Sequence, residues 1–340
     1  MDELNIWLVG GGLAIGAVFA IVVQHFRFCL VAGTSNLLLI KDNRQALAFA
    51  TALLIGITGT QVLELMGIVE IADSAYRNST LDWFGAVVGG LIFGVGATLA
   101  GGCAARTLVK TMEGSIHSLI AFISFALVAA VAQFGLLETT RLDITQATAI
   151  ELTTDAGIAS ILSLSPWLVL AVVVVGLTWF IVRLAKRGLD ISMIIIGLIV
   201  GGLVIASWYI TGVLAQDDFD PVKPSAITMS GPLARFGYII LSGRIPALSF
   251  AISFVIGMGI ISFLLALVKG QFSITVPGKG MAMMALIGGS LMGIGGIMAY
   301  GCNIGQGLSG ISTLSLESLL AVIGMVAGIS LVTKVMESKA

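Results

Sequence analysis

The sequence predicts an all-α polytopic membrane protein of about nine transmembrane helices, with re-entrant half-helices and an inverted repeat. Three observations carry that prediction. Of 340 residues 58% are hydrophobic and only 10% charged, whereas a water-soluble domain carries about 25% charged residues. Apolar runs recur along nearly the whole chain, each long enough to cross a hydrocarbon core of about 30 Å as a helix. They are continuous rather than alternating, which excludes a membrane β-barrel. Finally, a Gly-rich segment ending in Gly-Cys occurs twice.

The spans are expected near residues 6–23, 46–69, 83–100, 116–137, 166–184, 191–212, 247–268, 281–299 and 316–334. The first could pass for a signal peptide, but Asp2 and Glu3 stand where a basic n-region belongs and no A-x-A-like site follows; it reads as a retained span. Connections after the odd-numbered spans hold Arg27, Lys41, Arg44, Arg106, Lys110, Arg183, Lys186, Arg187, Lys269 and Lys279, and the tail adds Lys334 and Lys339. The opposite set holds most of the acids: Asp2, Glu3, Glu70, Asp73, Asp82, Glu138, Asp143, Glu151, Asp155, Asp217, Asp218, Asp220 and Glu317. Basic residues collect on the cytoplasmic side. The N-terminus is therefore expected outside and the C-terminus in the cytoplasm, which an odd number of spans satisfies.

Two connections are long and apolar: Gln24–Ile40, and Val213–Pro246 with Pro221, Pro224 and Pro232. Such backbone enters a bilayer only where protein or a water-lined cavity satisfies its amides, so re-entrant half-helices are expected there.

The repeat aligns without gaps. Gly89-Gly90-Leu91-Ile92-Phe93-Gly94-Val95-Gly96, leading to Ala100-Gly101-Gly102-Cys103, falls on Gly288-Gly289-Ser290-Leu291-Met292-Gly293-Ile294-Gly295, leading to Ala299-Tyr300-Gly301-Cys302. Seven identities, including one of only three cysteines, lie at a constant offset of 199. Under the expected topology the two copies cross the membrane in opposite directions. The chain divides into one half at 1–140, a connector with the fifth span at 141–190, and a second half at 191–340, forming a single transport domain. Inverted repeats bind substrate where their broken helices meet near the midplane.

Gly90/Gly94 and Gly289/Gly293 have the small-xxx-small spacing that lets helices approach, so packing explains them without further function. Gly101, Gly102 and Gly301 favour a chain break, after which the free N–H groups of a new helix form an anion site. A cysteine there points into the same space. In membrane proteins cysteine ordinarily serves as a small buried hydrophobe, but two of these three hold matching repeat positions, and Cys29 lies in the unusual run His25-Phe26-Arg27-Phe28-Cys29. Thiols are soft, weak donors and could pass a sulfur-bearing anion without trapping it. Arg106 and Arg27 either mark cytoplasmic span ends or attract anions. Asn303 and Gln306 could offer amides to a substrate or serve as ordinary capping and helix-contact residues. His25 and His117 have no ligand spacing and Glu64 is expected at the outer interface.

Net charge of −1 gives no reason to expect nucleic acid. Widely separated cysteines argue against a metal centre or a redox pair close in sequence; no cofactor, metal or catalytic residue is expected.

Phe26-Arg27-Phe28-Cys29, Ala100-Gly101-Gly102-Cys103 and Gly301-Cys302-Asn303-Ile304-Gly305-Gln306-Gly307-Leu308 resemble the YeeE/YedE family of sulfur transporters over essentially the whole chain. The resemblance implies nine spans with recessed half-helices, and uptake of thiosulfate across the cytoplasmic (inner) membrane. It implies transient S–H···S contacts to Cys29, Cys103 and Cys302 as successive stations, in an order that the sequence leaves open. Arg106 departs from the small residue of thiosulfate-type members and resembles the branch associated with selenium, which leaves a selenium compound or another sulfur species as an alternative substrate. A membrane thiol-disulfide exchange protein is the alternative of another class. A cytoplasmic sulfurtransferase is the partner that delivered thiosulfate would require.

Overall fold

The computed structural model describes residues 5–186, 188–217, 222–243 and 248–338. Asp2, Glu3, Arg187, Asp218, Asp220, Pro221, Pro246 and Lys339 lie outside them. Helices follow one another as α1 (Ile6–Phe26), α2 (Leu30–Leu39), α3 (Arg44–Leu65), α4 (Gly90–Leu99), α5 (Ala104–Met112), α6 (Ile116–Phe134) and α7 (Leu136–Thr148). A single turn, α8 (Ile158–Ile161), leads into α9 (Pro166–Ala185) and α10 (Ile191–Tyr209). The chain then forms α11 (Ser230–Ser242), α12 (Phe250–Val268), α13 (Lys279–Met298) and α14 (Leu316–Glu337). Among the described residues nine helical stretches are long and apolar enough to cross a membrane. The fold is all-helical apart from a minimal antiparallel pairing of Thr80–Leu81 with Ile150–Glu151.

Local sequence sets where these helices start. Apolar side chains cannot satisfy the first free N–H groups of a helix, and polar caps supply the acceptors. Asn5 accepts from Trp7 and Leu8, Asp190 from Ser192, and Ser249 from Ile252. Ser115 and Ser315 cap α6 and α14 in the same way. Pro166 opens α9 at a position where no N–H is required.

Glycine decides how closely the helices pack and in which direction. A β-carbon on Gly90 would lie 2.3 Å from the Ala321 carbonyl oxygen, and one on Gly94 2.2 Å from that of Met325. Both numbers rise together along α4 and α14, so those helices run parallel. By the same reasoning Gly289 and Gly293 seat α13 parallel to Ala121 and Phe125 of α6, and Gly12 and Gly16 seat α1 parallel to Phe250 and Phe254 of α12. Gly197 and Gly201 seat α10 parallel to Ala48 and Ala52 of α3. By contrast, Gly96 meets Gly288 while Gly89 meets Gly295, so α4 and α13 cross antiparallel along their glycine faces. These directions fit spans that alternate in sequence order. The contacts also exchange: α4 sits on α14 as α13 sits on α6, and α1 on α12 as α10 on α3.

Outside this core lies α9, packed mainly on α3, with Val172, Val175 and Trp179 exposed toward where lipid would be.

Both long apolar connections contain a short helix. Residues 24–26 complete α1, Arg27 turns the chain with φ 58°, and α2 follows. Residues 213–214 finish a π-helical turn on α10, and after an irregular stretch containing Pro224 the chain enters α11, where Pro232 occupies the first turn. The amphipathic α7 was not foreseen. It holds Glu138, Arg141 and Asp143 and buries no side chain, so a search for membrane-long apolar runs passes over it.

Glu64 does not simply reach an interface: it pairs with Arg77 at 2.7 Å, and Arg77 also pairs with Asp155. The Arg77 side chain is only 9% exposed, so this triad ties the end of α3 to two connecting loops.

Candidate functional site

Each cysteine stands at the first turn of a helix that follows a break. The Cys29 carbonyl accepts from Gly33 N–H at 2.9 Å, that of Cys103 from Thr107 at 2.8 Å, and that of Cys302 from Gln306 at 2.7 Å. In each case the thiol also faces an amide three residues on: Ala32 for Cys29, Arg106 for Cys103, and Gly305 for Cys302, the last donating to Sγ at 3.5 Å. Three helix starts therefore present N–H groups beside three thiols. Partial positive charge at such termini suits an anion.

The thiols form a series rather than a scatter. All are free and buried, with 3%, 1% and 0% of Cys29, Cys103 and Cys302 exposed. Cys29 and Cys103 lie close enough for their thiols to interact. Cys103 in turn lies within electrostatic range of Cys302, and Cys302 within range of the Tyr76 hydroxyl. Cys29 borders open space. It forms part of a cavity of about 860 Å³ lined also by Arg27, Ser35, Asn36, Gln45, Gly101, Gly102, Arg106, Thr333 and Glu337. A separate, smaller cavity of about 130 Å³ is lined by Gln133, Arg141, Ser230, Gly231 and Tyr300.

The glycines at the breaks do different jobs. Gly101 takes φ 75°, a left-handed turn that costs glycine nothing. At the matching position of the second copy Tyr300 adopts φ 52°, so it is Tyr300 and not Gly301 that turns the chain there. Gly301 serves close approach: a β-carbon would lie 2.8 Å from Gln306 Cγ. Gly102 carries the Arg106 side chain across it in a similar way, 3.2 Å from Cδ.

The polar residues near Cys302 separate into engaged and open groups. Gln306 donates to the Ala299 carbonyl at 2.6 Å and accepts from the Ser318 hydroxyl, so both ends of its amide are occupied in holding the break. Asn303 is 3% exposed and its side-chain oxygen has no hydrogen-bond partner. At the first break His117 Nε2 lies 3.2 Å from the Ala100 carbonyl oxygen, and Lys110 donates to that of Gly101 at 3.1 Å. His25 faces the Lys269 ammonium at 3.4 Å. Tyr76 and Thr228, both beside Cys302, were missed by the sequence reading. They sit in connecting segments outside any motif, and nothing in their neighbours marks them.

A nearly all-helical chain with nine membrane-long apolar helices among its described residues, and buried thiols at helix breaks beside a cavity, belongs to the class of polytopic transporters rather than enzymes. The chain is a member of the Sulphur transport family, whose model matches residues 25–331. It is similar to the "Thiosulfate transporter TsuA" of Escherichia coli (strain K12), 25% identical over 95% of this chain and 93% of the relative. It is also similar to the "Thiosulfate transporter TsuA" of Spirochaeta thermophila, 26% identical over 94% of this chain and 97% of the relative.

Proposed function

We propose that this protein imports thiosulfate across the cytoplasmic membrane by passing its terminal sulfur along Cys302, Cys103 and Cys29. The observation that carries the reading is the series of buried thiols, Cys302 within electrostatic range of Cys103 and Cys103 close to Cys29 at the wall of the 860 Å³ cavity. A dianion pays heavily to leave water, and helix-start amides at each station offset part of that cost. The thiols supply soft, weak contacts that release as readily as they bind. Arg27 and Arg106 attract the anion into the larger cavity, where Gly101 and Gly102 keep the backbone low beside them. Asn303 can turn its open amide toward substrate, while Gln306 and Gly301 position Cys302.

In this reading residues 1–140 and 191–340 are inverted halves joined by the connector 141–190, and the exchange of helix contacts supports it. The N-terminus lies outside and the larger cavity opens to the cytoplasm, where a sulfurtransferase would receive the product.

Uptake of labelled thiosulfate into proteoliposomes tests the proposal. Cys302→Ala and Cys103→Ala are expected to abolish uptake while remaining folded and inserted; full uptake by both would remove the relay. Competition by selenium compounds and other sulfur anions tests the substrate.

The proximity of Cys29 and Cys103 favours one second reading, thiol-disulfide exchange across the membrane, which requires an attacking and a resolving thiol. A redox-dependent gel shift accompanying electron transfer, in place of net thiosulfate uptake, would select it.

A further inference from the structure

We propose that the hydroxyls of Tyr76 and Thr228 recognise the oxygen end of the substrate whose sulfur end meets Cys302. The inference rests on the thiosulfate reading and deepens it. Thiosulfate has two chemically different ends, a soft terminal sulfur and three charged oxygens. A thiol suits the first; the second requires O–H or N–H donors.

Those donors gather at one place. Gly305 N–H donates to Cys302 Sγ at 3.5 Å. The β position of Gly305 lies 2.5 Å from Thr228 Oγ1 and 3.4 Å from Tyr76 Oη, so a side chain there would displace the Thr228 hydroxyl and abut that of Tyr76. The Tyr76 and Thr228 hydroxyls lie within interaction range of one another. The Tyr76 ring packs edge-on to Trp208 with centroids 6.2 Å apart, and Trp208 is itself fixed by donating to Ser312 Oγ at 3.0 Å. The phenol is thus held rather than free to swing. Burial and the neighbouring Cys302 push its pKa upward, so it keeps its proton beside an anion.

The arrangement is one-sided. Where the first half opens its short helix with Phe28-Cys29-Leu30, the second opens α11 with Thr228-Met229-Ser230. In that register Met229 stands where Cys29 does, so the second half has no thiol at that position, and Cys302 has the Tyr76 and Thr228 hydroxyls near it instead. The geometry assigns selection by both ends to the Cys302 station and simple sulfur transfer to the Cys103–Cys29 pair.

Proteoliposome uptake of thiosulfate, with thiocyanate (sulfur-ended and free of oxygen) as competing anion, tests this in wild type, Tyr76→Phe, Thr228→Val and Cys302→Ala. Tyr76→Phe keeps the ring and loses one oxygen; an unchanged melting profile in detergent establishes its fold. It is expected to raise the thiosulfate KM about fivefold, the range of one hydrogen bond to a charged group. The maximal rate and inhibition by thiocyanate should stay within about twofold, and Thr228→Val should follow the same pattern. Cys302→Ala, expected to abolish uptake, is the negative control. An unchanged thiosulfate KM in both hydroxyl variants, or equal weakening of both anions, would overturn the assignment while leaving the relay standing. Absence of uptake by wild type would overturn the transport reading itself.

Discussion

The thiols of Cys29 and Cys103 lie within interaction range of one another, although two membrane spans, α3 and α4, separate the end of α1 from the break before Cys103. Each thiol stands at the start of its own short helix, so the pair joins two chain breaks. Mild oxidation of the protein in membranes, for example with diamide, is expected to link Cys29 to Cys103 with loss of two thiol hydrogens to the oxidant. Peptide mapping without reductant should find that bond and leave Cys302 free. Uptake should fall with linkage and return with dithiothreitol.

Gly94 tests whether the glycine seams hold the spans together. With its β position 2.2 Å from the Met325 oxygen, Gly94→Ala must force α4 and α14 apart, a cost of about 1–3 kcal/mol. Gly10 has open space at its β position. Gly10→Ala should therefore be neutral or stabilising by up to about 1 kcal/mol, from helix propensity. Thermal unfolding in detergent compares the two.

Arg77 is the only cation shown paired with Glu64 and Asp155 among the described residues. Arg77→Met strands two carboxylates that are 22% and 20% exposed. Destabilisation of about 3 kcal/mol is expected. Glu64→Gln alone should cost less, because Asp155 remains to pair with the guanidinium. Melting temperatures of the two variants decide the order.

Arg106 lines the larger cavity with its side chain laid over Gly102. If it draws anions, Arg106→Gln should raise the thiosulfate KM several-fold at low salt. The difference should shrink as ionic strength shortens the screening length below about 8 Å. A residue that only marks a cytoplasmic span end would leave KM unchanged at every salt concentration.

The nine spans were legible because each needs only its own apolar length, and a bilayer imposes that length on the chain. Glycine spacing was equally readable: residues four apart face one side of a helix, and Gly90/Gly94 and Gly289/Gly293 do pack on α14 and α6. The turn at the second break was not legible. Glycine is the expected left-handed residue, yet Tyr300 adopts that conformation and Gly301 makes room for Gln306. Gln306 could be read equally as an amide for substrate or as a helix-contact residue, and only the fold shows Ala299 and Ser318 occupying its amide. Arg77 and Tyr76 were invisible for the same reason. Each gains its role from partners on other segments.

The amino-acid sequence by itself determined that the chain crosses a membrane about nine times, that two Gly-Cys breaks correspond, and that cysteines are the reactive groups to watch. Those features are local or periodic, and local chemistry fixes them. Tertiary structure alone decided that Cys29 lies close to Cys103, that Cys302 lies beside Tyr76 and Thr228, and that Arg27 and Arg106 share a cavity. Such neighbours are chosen by how glycine-lined helices seat against one another, and no spacing along the chain records that choice.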